Sequence, residues 1–174
     1  MAQAQVQKRP RVCILMGSRS DLEVMQAAAE VLADFGVEHE VTIASAHRSP
    51  AWTARYLRDA EERGAAVFVA GAGGAAHLAG MVAAHTTRPV IGVPIDSSAL
   101  KGLDALLSTA MMPGGVAVAT MSIGKAGAKN AGILAVQILA LSDGALMKKL
   151  HDYKERLESE VEAAAAELQR SRRG

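Results

Sequence analysis

Five short apolar runs govern what this chain can fold into: Arg11–Met16, His39–Ala44, Ala66–Ala70, Pro89–Pro94 and Val116–Thr120. Each has strand length, and stretches with helical spacing separate them. Leu22, Met25, Ala29 and Leu32 form one such stripe, and Trp52, Tyr56 and Leu57 a second. Leu78, Met81, Val82 and His85 mark a third, and Leu103–Ala110 and Ala131–Leu141 supply two more. Strands that alternate with helices in this way pair in parallel and are covered on both faces. With right-handed crossovers, the expected fold is α/β, a three-layer α/β/α sandwich around a five-stranded parallel sheet. Ligands of such sheets bind beyond the carboxyl ends of the strands, so the corners after the apolar runs are where a site belongs.

At 174 residues the chain fits a single domain, 1–174, with residues 1–10 as a flexible tail. A net charge of +1 gives no field that recruits nucleic acid or a membrane surface. The tail lacks the apolar core of a signal peptide, and no run approaches the about 18 continuous apolar residues of a membrane span. A cytoplasmic protein is expected. The lone cysteine, Cys13, lies in an apolar run and reads as a buried structural thiol. Aromatic residues make up 3% of the chain, which disfavours a site built on stacking, whereas 16 glycines favour one where backbone approaches its ligand.

The corner after the second run, Ser45-Ala-His-Arg-Ser-Pro50, gathers two hydroxyls, an imidazole and a guanidinium. An unperturbed histidine titrates at ~6.5, so His47 suits a step that both gives and takes a proton. Ser49 as N-cap and Pro50 as first helical residue start the next helix, which Gly64 closes; Trp52 reads as packing. The corner after the first run, Gly17-Ser-Arg-Ser-Asp21, opens a helix with Ser20 and Glu23 at capping-box spacing, and Gly36 ends that helix. Hydroxyls and N–H groups at such a helix start favour an anion, phosphate in particular. For Ser18, just outside the helix, ligand contact and turn formation are both open. The loop matches neither a dinucleotide fingerprint nor a nucleoside-triphosphate loop.

The third corner, Gly71-Ala-Gly-Gly-Ala-Ala76, has no side chain larger than a methyl group. Such a run serves either as a flat wall with free N–H groups or as a surface for close strand–helix packing, and its length favours the wall. His77 follows at the start of a helix, where on its own it reads as a satisfied helix-end residue. Ala131–Leu141 carries few charges on any face, which implies burial on more sides than a monomer needs. Leu146, Leu150, Tyr153, Leu157, Val161, Ala164 and Leu168 then recur at spacings of three and four. They predict a long amphipathic helix across 144–172, of about six turns, whose stripe packs on a neighbouring subunit.

In order and spacing, Met16-Gly-Ser-Arg-Ser-Asp21, Ser45–Pro50, Ala70–His77 and Met112-Pro-Gly-Gly115 resemble PurE, the bacterial N5-carboxyaminoimidazole ribonucleotide mutase family, over about Val12 to Leu141. Arg48 after His47 and the Ala-Gly-Ala-Gly-Gly loop are similar to the mutase class (class I). The sister class, which carboxylates aminoimidazole ribonucleotide directly, tends to carry lysine after the histidine and a bulkier, polar third loop. The chain departs from the family at Ala79, Met111 and Ala117, where proline, glutamine and proline are common.

The resemblance implies a flavodoxin-like sandwich that moves a carboxylate from the exocyclic nitrogen of N5-carboxyaminoimidazole ribonucleotide (N5-CAIR) to ring carbon C4, in de novo purine (IMP) biosynthesis. It implies no cofactor or metal, a homo-octamer, and a functional link to the ATP-dependent N5-CAIR synthetase. Carried onto this chain, His47 is the general acid and base, Arg48 and Ser18 take the 5′-phosphate, and Asp21 takes the ribose hydroxyls. Gly71, Ala72, Gly73 and Gly74 form a dry wall for carbon dioxide, with Ser45 and His77 completing the pocket. The rivals are the direct carboxylase, a flavodoxin-like binding module without chemistry, and a phosphosugar isomerase.

Overall fold

A computed structural model describes residues 9–172, so residues 1–8 of the expected tail lie outside the described residues. The elements are β1 (Val12–Met16), α1 (Leu22–Asp34), β2 (His39–Ile43), α2 (Pro50–Glu62), β3 (Val67–Gly73), α3 (Leu78–His85), β4 (Val90–Ile95), α4 (Leu103–Ala110), β5 (Ala119–Thr120), α5 (Gly124–Ala140) and α6 (Gly144–Ser171). All strand pairs are parallel, in the order β2-β1-β3-β4-β5. The path steps from β1 to β2 in one direction and from β2 over to β3, β4 and β5 in the other. Right-handed crossovers therefore place α1 on one face and α2, α3 and α4 on the opposite face. On the α1 side, Gly132 of α5 lies so close that a Cβ would come 2.9 Å from the Ala28 carbonyl oxygen.

The expected sandwich is thus present. β1, central and covered on both faces, is buried along its whole length. Cys13, Leu15, Phe68 and Ala70 pack with Leu57, Leu78 and Val82 in one cluster beneath α2 and α3. Each such large side chain contributes roughly 1.5–3 kcal/mol, so this interior outweighs the surface ion pairs. Cys13 is fully buried as expected, and burial pushes its thiol up to about 12. Gly36, at φ 71°, ends α1: its N–H reaches the Ala33 carbonyl at 2.9 Å, and the Val37 N–H reaches the Leu32 carbonyl at 2.8 Å.

Three elements differ from the sequence expectation. β3 continues past Ala70 through Gly73, because Met16 pairs with Gly71 on one side and Ile95 with Gly73 on the other. Glycine's weak strand propensity hides that continuation. β5 keeps only Ala119 and Thr120, paired with Ile91 and Gly92, since the turn around Gly114 and Gly115 consumes the start of the run. α5 begins at Gly124 rather than at Ala131. There Gly127 lies against the Ser122 carbonyl, where a Cβ would be 1.6 Å away, so close packing and not a loop explains that glycine.

Two compact units divide the chain, residues up to Ile138 and residues from Leu139 onward. In the second, Asp143 caps α6 by accepting the Leu146 N–H at 3.2 Å. The helix has 28 residues, about eight turns rather than six. Its apolar stripe changes character along its length. Leu146 and Leu150 are buried, whereas Val161 and Leu168 are 71% and 56% exposed. No helix among the described residues is long and apolar enough to cross a membrane.

Candidate active site

The loops after β1, β2, β3 and β4 enclose a cavity of about 220 Å³. It lies where the path reverses between β1 and β3, the switch point at which open α/β sheets bind ligands. Ser18, Asp21, Ser45, His47, Arg48, Ala72, Gly73 and His77 all line it; Gly71 and Gly74 do not.

The β1 loop is tied by a capping box, though not the expected one. A short 3-10 turn, Arg19–Asp21, precedes α1 and moves the cap back to Ser18. The Ser18 N–H donates to Asp21 Oδ2 at 3.0 Å, while Ser18 Oγ accepts from Ser20 N at 3.4 Å and Ser20 Oγ at 3.0 Å. Glu23, the expected partner of Ser20, instead pairs with Lys125 at 2.7 Å. Asp21 is buried. That burial raises its carboxyl above the usual range, against the Ser18 N–H, the Ser20 hydroxyl and the Arg48 charge, which lower it.

The β2 corner closes on itself. Ser49 occupies the N-cap position of α2, but its hydroxyl donates back to the Ser45 carbonyl at 3.2 Å instead of capping. Ser45 Oγ accepts from the backbone N–H of Arg48 at 3.1 Å and from its Nε at 3.3 Å. Nη2 of Arg48 donates to the Gly17 carbonyl at 2.6 Å, so the guanidinium braces the β2 corner against the β1 loop. These bonds use one edge of the fork and leave the Nη1/Nη2 end for an anion. They also fix how the hydroxyls behave. Ser45 accepts two hydrogen bonds, which occupies both lone pairs and leaves it a proton to donate, and Ser18 accepts from the Ser20 N–H and keeps its own proton to donate.

The small-residue run that ends β3 divides into three cases. At Gly71 a Cβ would lie 2.2 Å from Met25 Sδ, so that glycine admits α1 to the sheet. At Gly73 a Cβ would lie 1.7 Å from Ser97 Oγ, and Gly74 sits at φ +57°, where a side chain is strained. As ladder residues, Gly71–Gly73 direct their backbone to the sheet, which leaves fewer N–H groups free than a loop would.

His77 follows at the N-cap of α3, and its Nδ1 lies 2.8 Å from Nε2 of His47. The rings meet edge to face, 4.9 Å between centroids. A bond between two imidazole nitrogens holds one hydrogen, so one of the facing atoms keeps its lone pair. Ser97, from the loop after β4, is a polar lining residue that the sequence alone does not single out. Its signal in the sequence is a hydroxyl within a polar loop at a strand's carboxyl end. Among the described residues, no group of three or more His, Cys, Asp or Glu side chains is placed to hold a metal ion.

A family model described as AIR carboxylase matches residues 11–160. The N5-carboxyaminoimidazole ribonucleotide mutase of Thermotoga maritima is 55% identical over 160 residues, covering 92% of this chain and 92% of that protein. The mutase of the same name from Mycobacterium leprae is 54% identical over 165 residues, with 95% of each chain covered. Among solved structures, Treponema denticola PurE matches with a TM-score of 0.79 at 30% identity, covering 87% of this chain and 94% of that one.

Proposed function

Because this chain belongs to the AIR carboxylase family, we propose that it is an N5-carboxyaminoimidazole ribonucleotide mutase of purine biosynthesis, an isomerase, in which His47 carries the proton. What supports the residue roles above all is the placement of the His47–His77 pair, 2.8 Å apart, on a cavity whose opposite corner is wired to donate to an anion. The names of relatives more than half identical, together with Arg48 after the histidine, favour the mutase over the direct carboxylase.

The 5′-phosphate binds the Nη1/Nη2 end of Arg48 and the hydroxyls of Ser18 and Ser45, beside the N-terminus that Ser18 caps. Asp21, a carboxylate that cannot serve an anion, accepts from the ribose hydroxyls. The exocyclic N–C bond then breaks, its electron pair stays on nitrogen, and His47 supplies the proton that nitrogen takes. Carbon dioxide is held against Ala72 and Gly73, with Gly71 and Gly74 setting the path of the backbone behind them. Ring carbon C4 attacks it, and the C4 proton returns to His47, so the imidazole ends as it began. His77 orients His47 and takes up the tautomer change.

In this reading the working particle is a homo-octamer in the cytoplasm, supplied by the ATP-dependent synthetase that makes N5-CAIR. Its support is exposed apolar surface: Leu103 and Leu107 on α4 with Met111 just after it, and Val41, Ile43 and Trp52 around the edge strand β2. The test is to incubate the protein with N5-CAIR, without ATP or bicarbonate, and follow the C4 carboxylate. Rapid product is expected. No product sinks the reading, and product only from aminoimidazole ribonucleotide plus carbon dioxide selects the direct carboxylase.

A further inference from the structure

We propose that the Ser97 hydroxyl donates a hydrogen bond to the carboxylate being transferred, which makes Ser97 a substrate-contacting residue; this rests on the mutase reading above. Three observations carry it. First, sheet order sets the direction of the ligand. The anion corner, Ser18 with Ser45 and Arg48, stands over β1 and β2, whereas Ser97 follows β4, on the far side of β3. Ser97 thus stands two strands from β1 and three from β2, on the other side of the cavity from that corner. A ribonucleotide held by its phosphate at one end presents its base and carboxylate at the other.

Second, the hydroxyl occupies the space that a side chain at position 73 would fill. A Cβ on Gly73 would meet Ser97 Oγ at 1.7 Å. Gly73 therefore leaves Oγ bare on the wall where carbon dioxide is to be held. Third, the other serines of the cavity are tied together at the anion corner: Ser18 and Ser45 accept from Ser20 and Arg48, and Ser20 donates to Ser18 or Asp21. The Ser97 hydroxyl has no side-chain hydrogen-bonding partner among the described residues. It is the donor at the base end of a cavity whose other hydroxyls cluster at the phosphate end.

The test compares two ligands that differ only by the carboxylate, aminoimidazole ribonucleotide and its C4-carboxylated product, by calorimetric titration of wild type and Ser97→Ala. A hydroxyl donor to a carboxylate is worth about ten- to a hundredfold in affinity. The expected result is that loss for the carboxylated ligand alone, with binding of the uncarboxylated one unchanged, which also shows that the variant is folded. Equal loss for both ligands, or loss for neither, overturns the Ser97 assignment. Wild-type protein that binds neither ligand overturns the mutase reading instead, and the Ser97 role with it.

Discussion

Nε2 of His47 and Nδ1 of His77 lie 2.8 Å apart, although 30 residues separate them in the chain. The contact couples the tautomers of two rings on one cavity wall. The contact holds one hydrogen, so one ring donates in it and the other accepts.

His47→Asn is expected to fold and to bind the nucleotide, with kcat lower by about 10²- to 10⁴-fold, the usual worth of a positioned acid–base. His77→Asn leaves the carrier but uncouples it. That variant should lose about tenfold in kcat, with KM little changed, and the shape of its pH–rate profile should differ from wild type. An unaltered profile in His77→Asn would show that the pair does not act together. Turnover retained in His47→Asn would remove His47 from its role.

The layers of the fold are legible in the sequence because burial on both faces turns parallel strands into plain apolar runs, as Val12–Met16 does. The corner at His47 is legible because polar residues crowd after such a run. What escapes is set by contacts distant in sequence. His77 reads as a helix-end residue until parallel pairing brings the ends of β2 and β3 to either side of β1. Gly71 and Gly73 look alike in the sequence, yet Met25 dictates one and Ser97 the other. The capping box at Ser18 escapes because a 3-10 turn stands before α1.

The tight pair Gly73 and Ser97 makes a stability prediction independent of catalysis. Gly73→Ala drives a methyl group into Ser97 Oγ and to within 2.8 Å of Ser97 Cβ, which the hydroxyl cannot relieve by rotating. The expected cost is about 1–3 kcal/mol. Adding Ser97→Gly removes both contacts, and thermal denaturation should then recover most of the loss. A double variant no more stable than Gly73→Ala would place the strain elsewhere.

Stability should form a plateau with two differently caused edges. Glu40 on β2 accepts from Arg63 Nη1 at 2.6 Å and Nη2 at 2.7 Å, and also from the Tyr56 hydroxyl. The Arg63 bonds hold its carboxyl below the usual range despite partial burial. A depressed carboxyl stabilises the fold above its unfolded value of about 4.3, and that stability is lost as pH falls through the folded value. Asp21, raised by burial, works in the opposite sense over the acid range and offsets part of the loss. Cys13 sets the alkaline edge. Its thiol is raised from 9.0 to about 12, so its contribution is complete below pH 9.0 and is lost as pH climbs toward about 12. Glu40→Gln should cost about 1–2 kcal/mol at neutral pH and flatten the acid edge of the Tm–pH curve. An acid edge as steep as wild type would assign it to other carboxylates.

The stripe on α6 makes the last prediction, about assembly. Its first two turns bury Leu146 and Leu150, yet Val161 and Leu168 remain 71% and 56% exposed on a helix of 28 residues. A helix half of whose apolar face meets water is stable in a larger particle, where that face is covered. The charges along its other face keep the helix soluble until then, and Lys148 and Asp152 bridge one turn at 3.0 Å. Val161→Glu with Leu168→Glu places charge on the exposed half while leaving Leu146 and Leu150 intact. Light scattering of the wild-type chain should give the mass of an octamer. The double variant should give a smaller particle with unchanged far-ultraviolet circular dichroism. A wild-type monomer would refute the octamer, and an unchanged mass in the variant would move the interface to α4 or to the exposed face of β2, where Leu103→Glu and Ile43→Glu are the corresponding substitutions.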